Sequence, residues 1–528
     1  MAAKALSSQT DPIWRVELND EAATIALAHE IGGWISPGDL IALSGDIGAG
    51  KTTLARALIR LLTGEPDLET PSPTFTLMQV YDGPGFPIVH ADLYRIKKPE
   101  ELADLGWDEA SEGALVMVEW PERADGNLSA DRLEISLTLD TAKGPDYRLA
   151  ILKGYGTMTS RLARARGIAM ILQRSGWDKA ERRLMYGDAS TRSFERLVAS
   201  TGETAILMCS PPRPDGPILR YGKPYAAIAR LSEDIRAFIA MAEGLRALGY
   251  TTPRIIAHSI VDGLALLEDF GAHTIADAEG PNPVRYTEAV ALLADLHNRD
   301  LPNQLPVDTE THTIPVYDAD AMLVEVELLL DWYAPRTEAG APASGARAQF
   351  LGLWNQVLAP ILQRSKTWTL RDYHSPNLHW LAERDGLRRL GLIDFQDAVL
   401  GPPAYDLASL LQDARVDIPD ELELRLIALY ARRRRLQDAS FDMAAFTASY
   451  AAMGAQRATK ILGIFTRLDK RDGKPQYLAH LPRIERYLTK NLNHPIMAPI
   501  KQWYQMHLPR ALGVEPMPAA DSDPPQAT

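Results

Sequence analysis

The segment Gly45-Asp46-Ile47-Gly48-Ala49-Gly50-Lys51-Thr52-Thr53 constrains the fold more than any other part of the chain. It matches GxxxxGK[ST] in a suitable setting. The apolar run DLIALSG (39–45) reads as a buried strand, and KTTLARALIRLLTG (51–64) reads as a helix. Leu54, Leu58, Leu61 and Leu62 fall at helical spacing, and Gly64 supplies the stop. Glycines in such a turn let backbone N–H groups wrap a phosphate chain, and the helix N-terminus adds positive potential. Lys51 is then aimed at the β- and γ-phosphates of ATP, and the Thr52 hydroxyl at a magnesium ion. A glycine-rich turn with no nucleotide would leave Lys51 unexplained.

A site of this kind also needs a carboxylate at the end of a neighbouring buried strand. ALVMVEW (114–120) offers Glu119 there as a metal ligand. PIVHAD (87–92) offers Asp92, either as a partner of the magnesium shell or as the group that positions a water. LEISLTL (133–139) and YRLAILKG (147–154) predict a closing antiparallel hairpin.

These residues carry a resemblance. GDIGAGKTT followed by SPTF (72–75), HADLYR (90–95) and VEWP (118–121) resembles the bacterial TsaE family over residues 12 to about 155. The resemblance implies an α/β P-loop NTPase domain. Its role would be the ATPase subunit of the complex that makes threonylcarbamoyladenosine at position 37 of tRNAs, working with TsaD and TsaB-like subunits. Thr74 stands where the family has a switch-like loop near the γ-phosphate, and Trp120 follows the acidic residue as in the family. An independent small-molecule kinase is the competing class for this half.

At 528 residues the chain is too long for one core. The segment GYGTMTSRLARARG (154–167) shows little periodicity, so 156–167 is expected to be a linker and 168–510 a second domain. The Pro-rich tail 511–528 is expected to be disordered. A helix is predicted from an N-cap at Ser232, with Ile235, Phe238, Ile239, Ala242 and Leu245 on one face.

The second domain carries its own ordered set. LRDYHSPNLHWL (370–381) contains Asp372 and Asn377, and LGLIDFQDAVL (390–400) contains Asp394 after an apolar run. D-x-x-x-x-N followed by I-D-F is the arrangement of kinase-fold phosphotransferases. Asp372 would align an acceptor hydroxyl as the catalytic carboxylate, while Asn377 and Asp394 would hold magnesium. Asp406 reads as an N-cap or structural group, Asp397 as either structural or a ligand. His374 reads as positioning the backbone or facing substrate.

Here too there is a resemblance. GDASTRSFERL (187–197), MCSPPRPD (208–215), EVELLLDWY (325–333), RDYHSPNL and DFQDAVLGPPAYDL are similar to the aminoglycoside phosphotransferase superfamily. Within it they resemble the AmgK family of anomeric N-acetylmuramate and N-acetylglucosamine kinases. The implied fold is an α+β, protein-kinase-like bilobal domain that phosphorylates an amino sugar in cell-wall recycling. By the same likeness the hairpin around Ser190 and Arg192 covers the phosphates, and LLEDFG (266–271), with Glu268, occupies the adenine-contacting hinge. The strand AILMCSP lacks the lysine that kinases use on the α- and β-phosphates, and Arg192 is the candidate replacement. An aminoglycoside or other small-alcohol phosphotransferase remains open as an alternative, as does a non-catalytic scaffold for the front half.

Composition sets outer bounds. A single cysteine, Cys209, excludes an internal disulfide framework and a cysteine-built zinc site. With no signal-like start and no apolar run of membrane length, a cytoplasmic setting is expected. The net charge of −13 argues against direct nucleic-acid binding, so any tRNA would be held by a partner. The ArgArgArgArg run at 432–435 reads as a solvated helix face.

Overall fold

A computed structural model describes residues 13–83, 85–98, 101–124, 126–185, 192–212 and 216–513. Ser190 and residues 514–528 of the expected tail lie outside the described residues. The chain divides into two compact units, Met1–Asp178 and Lys179–Thr528.

The front unit is built on a seven-stranded sheet. Its strands are β1 (Ile13–Leu18), β2 (Leu40–Ser44), β3 (Met78–Asp82), β4 (Pro87–Asp92), β5 (Leu115–Glu119), β6 (Arg132–Leu139) and β7 (Arg148–Tyr155), in the order β1-β7-β6-β2-β5-β4-β3. β2 lies parallel to both β5 and β6, and β4 lies parallel to β5. These central strands are near-continuous apolar runs because both faces are covered. The predicted hairpin is β6–β7, paired from Arg132–Tyr155 to Leu139–Arg148. The helix α1 (Glu21–Gly32) is capped by Asp20, whose carboxylate accepts from the Ala23 amide at 2.8 Å. The helix α2 (Lys51–Thr63) stops at Gly64, whose φ is +72°.

The expected linker is not one. Residues 158–175 form the helix Met158–Ser175, which belongs to the front unit. Met158, Leu162, Ala165, Ile168, Ile171 and Leu172 are buried along it at helical spacing. Met158 and Leu162 join the core beneath β7 and β6. Arg161 forks onto Asp39, with both nitrogens 2.7 Å from the two carboxylate oxygens. The interleaved arginines hid this apolar stripe from a reading by composition.

The rear unit opens with a five-stranded antiparallel sheet. Its order is Ile255–Ser259, Leu264–Glu268, Thr204–Cys209, Ser193–Val198 and Glu181–Met185. Helices dominate beyond it, including Pro283–Leu296, Ala319–Leu328, Asp420–Gln437 and the long Met443–Asp472. The N-cap of the helix Ile235–Ala247 is Asp234, which accepts from the Arg236 amide at 2.8 Å. Ser232, the expected cap, instead donates its backbone N–H to Asp397 at 2.6 Å. The arginine run ends the helix Asp420–Gln437, and Arg434 within it is buried and donates to the Tyr430 hydroxyl at 3.0 Å. Among the described residues no helix is long and apolar enough to cross a membrane.

Candidate functional sites

In the front unit the turn between β2 and α2 is fixed by its glycines. Gly45 has φ +137°, and a Cβ there would meet the Leu137 carbonyl oxygen at 2.3 Å. Gly50 has φ +102° and Gly48 +81°, a region that other residues rarely enter. Asp46 and Ile47 cross the turn, with Ile47 77% exposed, while Ala49 is buried. Lys51 folds back across the turn, its Nζ 2.6 Å from the Gly45 oxygen and 3.0 Å from that of Asp46. It also lies 4.0 Å from the centre of the Trp120 ring. Burial lowers the Lys51 pKa, opposed by the charges of Glu119 and Asp92.

The parallel pairing of β4 and β5 sets Asp92 beside Glu119. Thr52 donates its hydroxyl to Glu119 Oε1 at 2.7 Å, and His90 Nε2 lies 3.0 Å from the same oxygen. Asp92 Oδ2 accepts from Thr74 at 2.7 Å and from Ser72 at 3.1 Å, and its Oδ1 accepts from the Tyr94 amide at 3.0 Å. Thr53 joins Thr52, Thr74, Asp92, Glu119 and Trp120 in lining a cleft of about 680 Å³. Asp20, Glu21, Thr24, Asp146 and Arg148 also line that cleft and were not anticipated from the sequence. Nor was His90, although its place two residues before Asp92 on one strand face was the available signal.

These groups suit ATP and magnesium. The backbone turn leaves room for phosphates only where no Cβ intrudes, and a hydroxyl beside a carboxylate offers hard oxygen donors. Among the described residues no cluster of three or more His, Cys, Asp or Glu could hold a metal. A magnesium ion would therefore draw further oxygens from phosphate and water.

The rear site is assembled by a two-stranded ladder. Leu378–Trp380 pairs with Leu390–Leu392, which brings Asn377 and Asp394 to the same end. The Asn377 amide donates to the Asp372 backbone oxygen at 2.9 Å and lies 3.4 Å from Asp394 Oδ2. Asp394 has φ +61°, a strained conformation for a residue with a side chain. Its Oδ1 accepts from Arg192 at 2.7 Å and from Gln396 at 2.9 Å. Asp372 remains 40% exposed, and His374 Nε2 stands 3.9 Å from it. His374 itself is buried, and desolvation lowers its pKa. Asp394 offers carboxylate oxygens, and Asn377, which meets it through the amide nitrogen, would have to turn its amide oxygen inward to join it on a magnesium ion. Glu268 accepts from the Arg254 amide at 3.1 Å and pairs with Arg384 at 2.5 Å.

The catalytic-type loop is clamped from below. Asp406 is fully buried and accepts from the backbone amides of Leu370 at 2.6 Å and Arg371 at 2.9 Å. Burial pushes its pKa up to about 7, although those two bonds pull the other way. Ser409 donates to the Arg371 oxygen at 3.1 Å, and Asp413 accepts from the Ser375 amide at 3.0 Å. Arg371 is buried with φ +66° and pairs with buried Glu325, which also holds Lys460 at 2.9 Å. Burial would raise Glu325, but Lys460 and Arg371 hold it below the usual carboxylate range. Asp397 accepts the Ser232 amide.

Comparison with known proteins adds family membership. The family model for "Threonylcarbamoyl adenosine biosynthesis protein TsaE" matches residues 18–146, and that for "Phosphotransferase enzyme family" matches residues 185–442. The N-acetylmuramate/N-acetylglucosamine kinase of Caulobacter vibrioides is 36% identical over 365 residues, covering 67% of this chain and 99% of the relative. Its Pseudomonas aeruginosa counterpart is 29% identical over 324 residues, covering 59% of this chain and 85% of the relative. The TsaE protein of Rickettsia conorii is 42% identical over 127 residues, covering 24% of this chain and 72% of the relative. The chain thus belongs to two families at once, TsaE at its front and the N-acetylmuramate/N-acetylglucosamine kinases at its rear.

Proposed function

We propose that the chain is a bifunctional fusion of a threonylcarbamoyladenosine-biosynthesis ATPase and an ATP-dependent amino-sugar kinase. The observation that carries this reading is the presence of two separate phosphate-handling centres, each in the unit whose relatives bear the corresponding name.

In the front unit the turn Gly45–Thr53 would wrap the ATP phosphates, and Lys51 would turn from its carbonyl partners toward the β- and γ-phosphates. Thr52 and Glu119 would hold magnesium. Asp92, gripped by Ser72 and Thr74, would orient the attacking water and couple its position to the loop 72–75. The partners would be TsaD and TsaB-like subunits, which would hold the tRNA.

In the rear unit Asp372 would align the anomeric hydroxyl of N-acetylmuramate or N-acetylglucosamine and take its proton. The sugar oxygen forms a bond to the γ-phosphorus as the bond to the β-phosphate oxygen breaks, giving ADP and the sugar 1-phosphate. Asn377 and Asp394 would hold magnesium, which supplies charge neutralisation on the phosphates. Arg192 already lies against Asp394, where a cation missing from the strand Thr204–Cys209 would be needed.

The test offers ATP, magnesium and either N-acetylmuramate, N-acetylglucosamine or an aminoglycoside to the purified chain. Sugar 1-phosphate is expected from the first two. Transfer only to the aminoglycoside, or to nothing, overturns the kinase half. For the front half, ATP turnover is expected to rise when TsaD and TsaB are added, and a flat rate contradicts the assignment.

A further inference from the structure

Beside the acceptor loop lies positive charge that the phosphoryl-transfer reading does not use. The helix Met443–Asp472 carries Lys460 and Arg467, seven residues apart and so on one face about 10 Å apart along the axis. Lys460 shares the Glu325 carboxylate with Arg371, the residue next to Asp372. The Tyr317 hydroxyl and the Gln456 amide complete the contacts of Glu325. Two cations share this one carboxylate, and the charges of Asp372 and Asp397 also act on them. The Lys460 ammonium lies 3.4 Å from the Tyr405 hydroxyl, and its side chain keeps 13% of its surface open.

Arg467 is the less expected cation. It is half-buried, yet among the described residues it makes no hydrogen bond and no ion pair, and its Nε is buried without a partner. The nearby acids are paired with other arginines, Asp469 with Arg336 and Asp472 with Arg471, although the Asp472 charge also acts on Arg467. Desolvation lowers the Arg467 pKa, a penalty that an ion-pair partner ordinarily offsets. The contact it does make is with an aromatic ring, 5.5 Å from the centre of Tyr225. Tyr225 begins a segment whose Ala229 oxygen accepts from the guanidinium of Arg371, the neighbour of Asp372, at 3.0 Å. Its buried hydroxyl also senses Glu325, Lys460, Arg467 and Arg371 together.

We propose that Arg467, against the Tyr225 ring and on one face of the helix that also carries Lys460, is the binding site for a carboxylate on the acceptor sugar. The assignment rests on the amino-sugar reading above and sharpens it. N-acetylmuramate carries a carboxylate on its lactyl ether, whereas N-acetylglucosamine has a neutral hydroxyl at that position. A planar guanidinium fork matches a carboxylate with two parallel hydrogen bonds, and a half-desolvated one gains more from the match than a solvated one. The acid substrate would then be held at two points, its anomeric oxygen at Asp372 and its carboxylate at Arg467.

The experiment measures kcat/KM of the full chain for N-acetylmuramate and its methyl ester, with N-acetylglucosamine as a second neutral acceptor. The wild-type chain is expected to prefer the acid over the ester by about 10- to 100-fold, the range of a charge-assisted hydrogen bond. Arg467→Gln is expected to bring that ratio close to one through KM, and Arg467→Lys to recover part of it. A wild-type chain that treats acid and ester alike overturns the site, as does an Arg467→Gln chain that keeps the preference. Both outcomes leave the sugar-kinase reading standing. Transfer to neither sugar by the wild-type chain overturns that reading and this site with it.

Discussion

The two units solve one problem, the handling of a polyphosphate, in opposite ways. On the proposed reading the front unit would cradle phosphates with backbone, and its central turn is nine contiguous residues whose shape is dictated by Gly45, Gly48 and Gly50. The rear unit gathers side chains from distant segments, with Arg192, Asp372, Asn377 and Asp394 meeting through a short ladder and a buried clamp. A contiguous cradle depends on local conformation, and a gathered one on buried polar anchors far from the chemistry. The front site should therefore be most sensitive to backbone changes, and the rear site to loss of its anchors.

The largest expected effect is at the rear carboxylate. Asp372→Asn should lower sugar phosphorylation by about 10²- to 10⁴-fold, the usual contribution of a positioned base, while ATP hydrolysis at the front persists. A steady-state assay of both activities on one preparation checks this, and a parallel loss of both would erase the distinction. Next comes the clamp. Arg371→Met leaves Glu325 buried beside Lys460 alone and should destabilise the rear unit by about 3–5 kcal/mol, read from denaturant unfolding. A change below about 1 kcal/mol, the scale of an exposed pair, would show that the anchor is not needed.

At the front, Gly45→Ala should abolish nucleotide binding to that unit, because the new methyl group collides with the Leu137 carbonyl. Fluorescent-nucleotide titration of a chain that also carries Asp394→Ala isolates the front site. Unchanged affinity there would contradict the backbone-cradle account.

The smallest effect is a pH slope. Asp406 sits at about 7 in the folded chain, above the ordinary aspartate value, because burial favours the protonated form. The stability it contributes is fully present below its unfolded pKa and is lost as pH rises from about 4 toward 7. Asp406→Asn cannot titrate, so its unfolding free energy should change less than wild type across that window, by up to a few kcal/mol. Parallel profiles would show that Asp406 is ionised throughout.

The same contrast explains what was legible in the sequence. The phosphate turn, β2, β4, β5 and the hairpin β6–β7 were readable because their signals are local: glycine spacing and apolar runs of strand length. The order Asp372, Asn377, Asp394 was readable for the same reason. His90 and Arg148 were not assigned, and Asp406 was read as structural without its partners, since each matters through a group supplied by another part of the fold. The first part of the helix Met158–Ser175 was read as a linker because arginines interrupt its apolar stripe, and its burial depends on β6 and β7.

The central claim is that one chain carries two phosphate-handling sites with separate machinery. Phosphorus NMR of the full chain with ATP, magnesium and N-acetylmuramate tests it most directly, comparing wild type, Lys51→Ala and Asp372→Asn. The account predicts an anomeric sugar phosphate from wild type and Lys51→Ala, and none from Asp372→Asn. Sugar phosphate that disappears with Lys51→Ala, or survives Asp372→Asn, would contradict it.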